Sequence, residues 1–305
     1  LLRMTHHPVS FAIHGVAGDM PDRDHGYADH LAALQAIGVS TRQALADGAD
    51  AIDAVELAVR QLEDCELFNA GRGAVLNADG DAELDASIMR GDGACGAVAG
   101  VRRPRNPIGL ARAIMNDGHH VMLVGSNADQ ACDRFGVETA PPDYFVVNDR
   151  LRQLDRARER SAIMLDHDEP LGTVGAVARD ARGGLAAATS TGGMTNKAPG
   201  RVGDSGIIGA GTWASDASCA ISSTGHGESF VRVNAAAQIH WRMLLGHEPM
   251  TAAAELVIDQ VVACGGMGGL IGIDCDGLVC LPMSTRGMFR AWAELDGPVQ
   301  AAVFR

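Results

Sequence analysis

The chain has 305 residues and a formal net charge of −13, and hydrophobic residues make up 47% of it. This composition allows a sizeable buried core and excludes a largely disordered chain, while the acidic balance disfavours a nucleic-acid partner. No apolar run approaches the roughly 18 residues of a membrane-spanning helix and the N-terminus lacks an apolar signal region, so we expect a cytoplasmic protein without a membrane partner.

The first part of the chain predicts a strand, two amphipathic helices and a group of short strands. Residues 9–14 (VSFAIH) are β-compatible and lead into a Gly-rich turn. Apolar residues then recur at helical spacing, with Leu31, Leu34 and Ile37 in one helix and Ile52, Val55 and Val59 in the next. Further elements are short strands within residues 74–101, a helix from Asn106–Pro107, a buried strand at residues 121–125 and a helix from about Ser126.

A charged segment separates this part from the second. Residues 149–170 hold no turn residue before Pro170, so they predict a helix whose end is an exposed, mobile linker, which we place at residues 150–172. The elements predicted after it are a hairpin over residues 173–191, a strand at residues 219–224, helices at residues 228–245 and 251–263, and a last hairpin at residues 270–283.

Strands and helices come in blocks along the chain rather than in strict alternation. Such blocks favour stacked antiparallel sheets with helices outside over a doubly wound parallel sheet. We therefore predict an α+β fold.

The Gly172–Thr173 dipeptide offers a route to amide hydrolysis. An internal threonine is a poor nucleophile, but a terminal threonine carries an α-amine with a pKa of about 8 that can accept the proton of its hydroxyl. Gly172 leaves the carbonyl before Thr173 open to attack by that hydroxyl. A Gly–Thr pair is also an ordinary start of a strand. The dipeptide alone therefore does not distinguish a cleavage site from a strand start.

Three long motifs follow one another along the chain: residues 62–89 (beginning LEDCELFNAGRG), residues 172–214 (beginning GTVGAVARD) and residues 222–230 (SSTGHGESF). Together they resemble the plant-type L-asparaginase and isoaspartyl peptidase family of N-terminal-nucleophile hydrolases. The resemblance implies a four-layer αββα sandwich and self-cleavage into residues 1–172 and 173–305. It also implies a homodimer of processed αβ units that releases L-aspartate from L-asparagine and β-aspartyl (isoaspartyl) dipeptides without a cofactor for the chemistry.

The resemblance assigns the catalytic groups. Thr173 matches the nucleophile, and Thr191 matches the threonine whose hydroxyl supports it. Thr224 and Gly225 match the oxyanion hole, a role that suits a hydroxyl beside a backbone N–H at a Gly-rich turn. His226 invites assignment as a general base, but the family uses none there, so we expect it to be structural.

Arg201 and Asp204 form an opposite-charge pair on a Gly-flanked loop. A guanidinium fork suits the α-carboxylate of an amino acid and a carboxylate suits its α-ammonium, although the same two residues are also typical of a surface salt bridge. The resemblance places both in the substrate clamp. It adds Gly227 and Asn69, with Thr224 and Gly225, to the substrate-binding residues.

The resemblance also implies a structural sodium ion near the site, held by backbone carbonyls that leave little signature in a sequence. The matching carbonyls belong to Leu62, Glu63, Cys65, Phe68, Ala70 and Arg72. Side-chain metal sites are not indicated, because the histidines show no ligand spacing and the seven cysteines form no CxxC pair.

Three features depart from the family pattern. The turn HGVAG carries Val16 where relatives have Gly, and a branched residue does not readily adopt a positive φ, so we expect slow cleavage or a differently shaped turn. Ser205–Gly206 replaces Ser–Pro, which predicts a looser loop after the clamp. The linker before Thr173 is also short.

Two alternatives stay open. A glycosylasparaginase would cleave the amide between a sugar and asparagine, and such relatives are often exported. A cleavage-deficient homologue would be a binding or structural protein, and Val16 motivates this hypothesis.

The segment GDGACG at residues 91–96 fits the GxGxxG pattern of nucleotide-binding loops, but no helix follows it. It therefore predicts a turn between strands rather than a nucleotide site.

Overall fold

The computed structural model describes residues 7–18, 20, 26–160 and 172–305. The elements before residue 161 are, in chain order, β1 (Ser10–Gly18), α1 (Ala28–Ala46), α2 (Ala51–Glu63), β2 (Leu84–Arg90), β3 (Cys95–Val101), α3 (Pro107–Asp117), β4 (Met122–Val124), α4 (Gly125–Phe135) and α5 (Asn148–Glu159). Those after residue 171 are β5 (Val174–Arg179), β6 (Leu185–Thr191), β7 (Thr212–Ala214), β8 (Cys219–Gly225), α6 (Gly227–Val233), α7 (Ala235–Gly246), α8 (Met250–Ala263), β9 (Gly268–Asp274), β10 (Val279–Cys280), β11 (Gly287–Ala293) and β12 (Gln300–Phe304).

The strands form two stacked sheets. One has the order β12-β11-β1-β5-β6-β2-β3-β4 and the other the order β10-β9-β8-β7. Neighbouring strands run antiparallel, except that β4 pairs with β3 in parallel. Helices α1 to α3 pack on the larger sheet, α6 to α8 pack on the smaller one, and β5 and β6 face β8 across the sandwich. The predicted α+β class and four-layer αββα sandwich are confirmed.

The central strands β5 and β6 are buried along their whole length. Helices cover one face of these strands and the second sheet covers the other, so small apolar residues replace the alternation of a half-exposed strand. The Ala-rich sequence of β6 (LAAATST) meets this requirement. Its hydroxyl-bearing end, residues 189–191, therefore lies inside the sandwich.

Two predicted elements were wrong in detail. The helix expected over residues 228–245 is two helices, because Asn234 adopts a left-handed conformation with φ of 50° between α6 and α7. The strand expected to be buried at residues 121–125 is the edge strand β4, with Met122 38% and Val124 58% exposed. An edge strand has a neighbour on one side only, which explains its exposure.

Most other elements were predicted in place, including the β5–β6 hairpin, both amphipathic helices α1 and α2, and the turn after β2 at residues 91–96. Strands β7, β11 and β12 were missed. The described part of the predicted linker is helix α5 up to Glu159, whereas residues 161–171 lie outside the described residues. No helix among the described residues is long and apolar enough to cross a membrane.

Candidate active site

The predicted nucleophile and the predicted oxyanion hole meet between the two sheets. Thr173 immediately precedes β5 in the larger sheet, while Thr224 and Gly225 end β8 in the smaller one. A Cβ placed on Gly172 would lie 3.2 Å from Thr224 Oγ1. The two groups therefore flank the Gly172–Thr173 peptide bond.

Thr173 is buried with 5% of its surface exposed, among neutral hydroxyls. Its Oγ1 donates a hydrogen bond to Thr191 Oγ1 at 3.2 Å, and Ser205 Oγ lies 3.3 Å from the same atom. Thr191 Oγ1 also accepts the N–H of Gly193 at 3.0 Å. This second bond fixes the acceptor that orients the Thr173 hydroxyl.

The Gly172 side of the bond is confined. Val16 is fully buried, and its Cγ1 would lie 3.3 Å from a Cβ at residue 172. Contacts of 3.2 and 3.3 Å are tighter than ordinary van der Waals contact, so any side chain at this position would push Val16 and Thr224 aside. Glycine before Thr173 thus serves packing as well as access to the carbonyl.

Val16 itself lies in β1, opposite Phe289, with a register irregularity between His14 and Val16. The turn that was expected to need a positive φ at this residue is therefore a bulge in an extended strand, which a β-branched residue adopts readily. The strain expected from Val16 does not arise in this arrangement. Slow cleavage stays a prediction.

Thr224 and Gly225 have the features of a donor pair. Thr224 Oγ1 is fully buried and has no hydrogen-bond partner among the described residues, so it is free to donate to a ligand. Gly225 has a φ of 142°, and a Cβ there would overlap the carbonyl oxygen of Met267. Only glycine allows the two backbone segments to approach this closely.

The predicted clamp residues converge on Gly227. A Cβ at Gly227 would lie 2.8 Å from Asp204 Oδ1 and 3.2 Å from Arg201 Nη2. Arg201 forms a bidentate ion pair with Glu228, its Nε 2.8 Å from Oε1 and its Nη2 2.7 Å from Oε2. Glu228 thus occupies the Nε–Nη2 edge of the guanidinium, so a substrate carboxylate would have to bind at Nη1 or displace Glu228.

Asp204 is an unusual carboxyl group. It is 2% exposed, and its Oδ2 has no hydrogen-bond partner among the described residues. Burial raises the pKa of Asp204 from 3.8 to about 7, with the Arg201 charge opposing the rise. A buried acceptor without a donor is ready for a cationic ligand, because an ammonium group would supply both charge and hydrogen bonds.

Asn69 supports the site from behind. Its Nδ2 donates to the carbonyl of Gly193 at 2.8 Å, and its Oδ1 accepts the N–H of Val75 at 2.9 Å. The side chain therefore holds the turn that follows Thr191. Beneath the clamp loop, Asp85 Oδ2 accepts the N–H of Gly203 at 3.3 Å, and the sole lysine, Lys197, is buried with its Nζ on the carbonyl of Glu83.

The loop predicted to hold sodium crowds carbonyl oxygens around a Gly–Arg–Gly turn. A Cβ at Gly71 would lie 2.5 Å from the carbonyl oxygen of Glu63, and one at Gly73 would overlap that of Phe68 and lie 2.8 Å from that of Glu66. The carbonyls of Leu62, Cys65, Phe68 and Ala70 each accept one backbone N–H. A carbonyl oxygen has two lone pairs, so these can still serve a cation.

The donor chemistry of this loop fits a hard cation held by backbone oxygens. Side chains do not offer a comparable site, since the described residues contain no group of three or more His, Cys, Asp or Glu arranged to bind a metal. Burial raises the pKa of Glu63 to about 8, and its Oε1 accepts the Ser190 hydroxyl at 2.6 Å. Glu63 would therefore offer a cation its backbone carbonyl rather than a charged carboxylate.

Three residues of the site were missed in the sequence. Ser205 contacts the predicted nucleophile, Glu228 holds Arg201, and His14 places its Nδ1 2.9 Å from the carbonyl oxygen of Thr173. Glu228 could have been suspected, because it follows the oxyanion turn directly in GHGES. His226, expected to be structural, lies 3.4 Å from Glu228 and has no contact with Thr173 among the described hydrogen bonds.

Comparison with known proteins finds matches over nearly the whole chain. A family profile described as asparaginase matches residues 7–302. The isoaspartyl peptidase of Escherichia coli (strain K12) is 45% identical over 306 residues, covering 96% of this chain and 95% of that protein. The isoaspartyl peptidase/L-asparaginase of Rattus norvegicus is 40% identical over 297 residues, covering 95% and 86%, and that of Bos taurus is 40% identical over 261 residues, covering 85% and 84%.

Proposed function

The chain belongs to the asparaginase family, and from this premise we propose that it is a self-processing threonine hydrolase of L-asparagine and β-aspartyl dipeptides. The observation that carries the proposal is the pairing of Thr173 Oγ1, oriented by Thr191, with the unpartnered Thr224 Oγ1 beside the same peptide bond. Processing would yield residues 1–172 and 173–305.

In the first step the hydroxyl of Thr173 attacks the carbonyl of Gly172. The peptide nitrogen leaves as the new α-amine of Thr173, and water hydrolyses the resulting ester to free the carboxylate of Gly172. The contacts at Gly172 support this step, because a Cβ there would crowd Thr224 Oγ1 and Val16 beside the scissile bond.

In turnover the α-amine of Thr173 accepts the Oγ1 proton while Oγ1 attacks the side-chain acyl carbon of the substrate. Thr224 Oγ1–H and the N–H of Gly225 donate to the developing oxyanion. The amine then passes its proton to the leaving group, which departs as ammonia or as an amino acid. Water then attacks the aspartyl ester while the amine accepts a proton from it. The ester bond to Oγ1 breaks, Oγ1 takes that proton from the amine, and L-aspartate is released.

Substrate recognition falls to the charged end of the site. Arg201 would bind the α-carboxylate and Asp204 the α-ammonium, while Gly227 leaves room between them. Asparagine and β-aspartyl dipeptides share this L-aspartyl half and differ only in the leaving group. Recognition of that half alone accounts for hydrolysis of both.

We further propose a structural sodium ion in the carbonyl loop of residues 62–72, where it would fix the segment that carries Asn69. A homodimer of processed αβ units in the cytoplasm completes the proposal. Neither the ion nor the dimer takes part in a chemical step.

The experiment incubates the purified protein and then compares three substrates at equal concentration: L-asparagine, a β-aspartyl dipeptide and a glycosyl-asparagine. Ammonia and aspartate release are measured, with the Thr173→Ala chain as the blank. The proposal predicts turnover of the first two above the blank. Turnover of glycosyl-asparagine alone would favour a glycosylasparaginase, and an uncut, inactive protein would favour a binding homologue.

A further inference from the structure

His14 bridges the two sheets at the nucleophile. It is fully buried at the last position where β1 pairs with β5, opposite Gly175. Its Nδ1 lies 2.9 Å from the carbonyl oxygen of Thr173, and its Nε2 lies 2.9 Å from Ser222 Oγ on β8. The ring therefore ties the backbone of the nucleophile to the opposite sheet.

The direction of these hydrogen bonds follows from chemistry. A carbonyl oxygen only accepts, so Nδ1 carries the proton and donates to Thr173. Burial lowers the pKa of His14 to about 3, so the ring is neutral at working pH and has a single N–H. Nε2 must then accept, and Ser222 must donate to it.

The hydrogen bonds continue beyond Ser222 through buried hydroxyl groups. Ser222 Oγ lies 2.7 Å from Thr189 Oγ1, and Thr212 donates to Thr189 at 2.5 Å. Since Ser222 uses its proton on His14, Thr189 must donate to Ser222. The hydrogen bonds thus all donate in one direction, from Thr212 through Thr189 and Ser222 to His14. This hydrogen-bond chain ends at the carbonyl oxygen of Thr173.

Glycine at position 175 makes this contact possible. A Cβ there would lie 2.5 Å from His14 Nε2 and would overlap Ser222 Oγ. The residue two positions after the nucleophile therefore leaves a gap that the imidazole and the hydroxyl fill.

We propose that His14 is a positioning residue that anchors Thr173 as the free N-terminus of the processed chain. Before cleavage, residue 173 is held by peptide bonds on both sides, whereas afterwards it is attached through Val174 alone. The hydrogen bond to its carbonyl then limits rotation of the terminal residue and keeps Oγ1 on Thr191 and toward Thr224. This inference rests on the proposed role of Thr173 as nucleophile.

The test compares His14→Asn with His14→Gln. The Asn amide nitrogen occupies the place of Nδ1 and can still donate to the Thr173 carbonyl, whereas the Gln amide reaches toward Ser222 instead. Ser222→Ala removes the donor that fixes the tautomer. The matched control is Ser218→Ala, which removes a serine 2.6 Å from the Nδ1 of another buried histidine, His240, away from Thr173.

The measurements are the rate of self-cleavage and, for isolated two-chain protein, kcat and KM for a β-aspartyl dipeptide per Thr173 terminus. We expect His14→Asn within about threefold of the wild-type kcat, Ser222→Ala lower by roughly three- to tenfold and His14→Gln lower by about thirtyfold. KM should stay within about twofold, because Arg201 and Asp204 are untouched, and Ser218→Ala should match the wild type.

Equal kcat values for His14→Gln and the wild type would overturn the inference, as would equal losses in both His14 variants. Self-cleavage of both His14 variants at close to the wild-type rate, together with a lower kcat for His14→Gln, supports it, because residue 173 is held from both sides until the bond is cut. A folded His14→Gln chain that stays uncut would overturn it, because His14 would then act before the terminus is free. If neither His14 variant folds, equal kcat values for Ser222→Ala and Ser218→Ala overturn it. Wild-type protein that cleaves itself but spares the dipeptide would refute the proposed substrate only, since the variants can still be ranked by kcat on L-asparagine or a glycosyl-asparagine.

Discussion

The two ends of the active site use different physics. The reacting end is built from buried hydroxyls: Thr173, Thr191, Ser205 and Thr224 are each at most 5% exposed. The binding end is built from charges, with Arg201 and Glu228 in a bidentate pair beside the buried carboxyl of Asp204. In the proposed mechanism, the hydroxyl end is preorganised for a charge that exists only during the reaction, while the charged end would recognise charges the substrate always carries.

This division separates rate from affinity. Donors aimed at a developing oxyanion stabilise the transition state more than the bound substrate, so their loss should lower kcat. Groups that hold the α-carboxylate and α-ammonium act equally in both states, so their loss should raise KM. Variants at the two ends test whether the separation is real.

The largest effect should come from the nucleophile. Thr173→Ala removes the attacking oxygen, so we expect no self-cleavage and a loss of hydrolysis greater than about 10⁴-fold. Thr173→Ser keeps the hydroxyl but frees its rotamer, and it should cleave slowly and retain part of the activity. Gel analysis with an amidase assay measures both, and an active Thr173→Ala protein would contradict the assignment.

Thr224→Val should act on rate next. The substitution keeps the shape and removes the unpartnered donor, so we expect kcat to fall by about 10²- to 10³-fold with KM nearly unchanged. The control is Thr41→Val, which removes a buried hydroxyl whose one hydrogen bond among the described residues goes to the carbonyl of Ile37 in α1. If both variants have the wild-type kcat, Thr224 is no oxyanion donor.

Arg201→Ala should act on affinity. Loss of a charge-assisted fork predicts a KM raised by about 10- to 100-fold for asparagine and for a β-aspartyl dipeptide alike. Arg242→Ala is the matched control, because Arg242 forms the same bidentate pair with Glu248 at 2.8 and 2.7 Å. An unchanged KM for the Arg201 variant would remove it from the clamp.

The sequence could predict those parts of the site whose residues lie within one motif. It could not predict contacts between residues that are far apart along the chain. Thr173, Thr191 and Thr224 stand at strand ends within long motifs, so the resemblance could assign a predicted role to each. His14 and Ser222 are 208 residues apart and meet only because β1 and β8 face each other across the sandwich. A single buried histidine carries no sequence signature for such a contact.

The fold shows the same limit. Periodic apolar residues predicted α1 and α2 well, because each buries one face. The break at Asn234 was missed, since one left-handed residue leaves the apolar pattern of residues 228–245 intact. Strand β12 is short and partly exposed along most of its length, which hides its alternation.

The smallest effect concerns the buried charge of the clamp. With a folded pKa of about 7 against 3.8, Asp204 binds more protons in the folded state over this pH range, so its contribution to stability is lost as pH rises toward 7. In the uncut Thr173→Ala background, Asp204→Asn should stabilise the protein about 3 kcal/mol more at pH 8 than at pH 5. Chemical denaturation at both pH values measures this, and equal gains would show that Asp204 is not held protonated.

Intact-mass analysis with N-terminal sequencing of incubated wild-type protein tests the central claim most directly. We predict two chains, residues 1–172 and 173–305, with the second beginning Thr173-Val174-Gly175. A chain that hydrolyses asparagine while it stays whole, or one cut at another bond, would contradict the assignment of Thr173 as an N-terminal nucleophile.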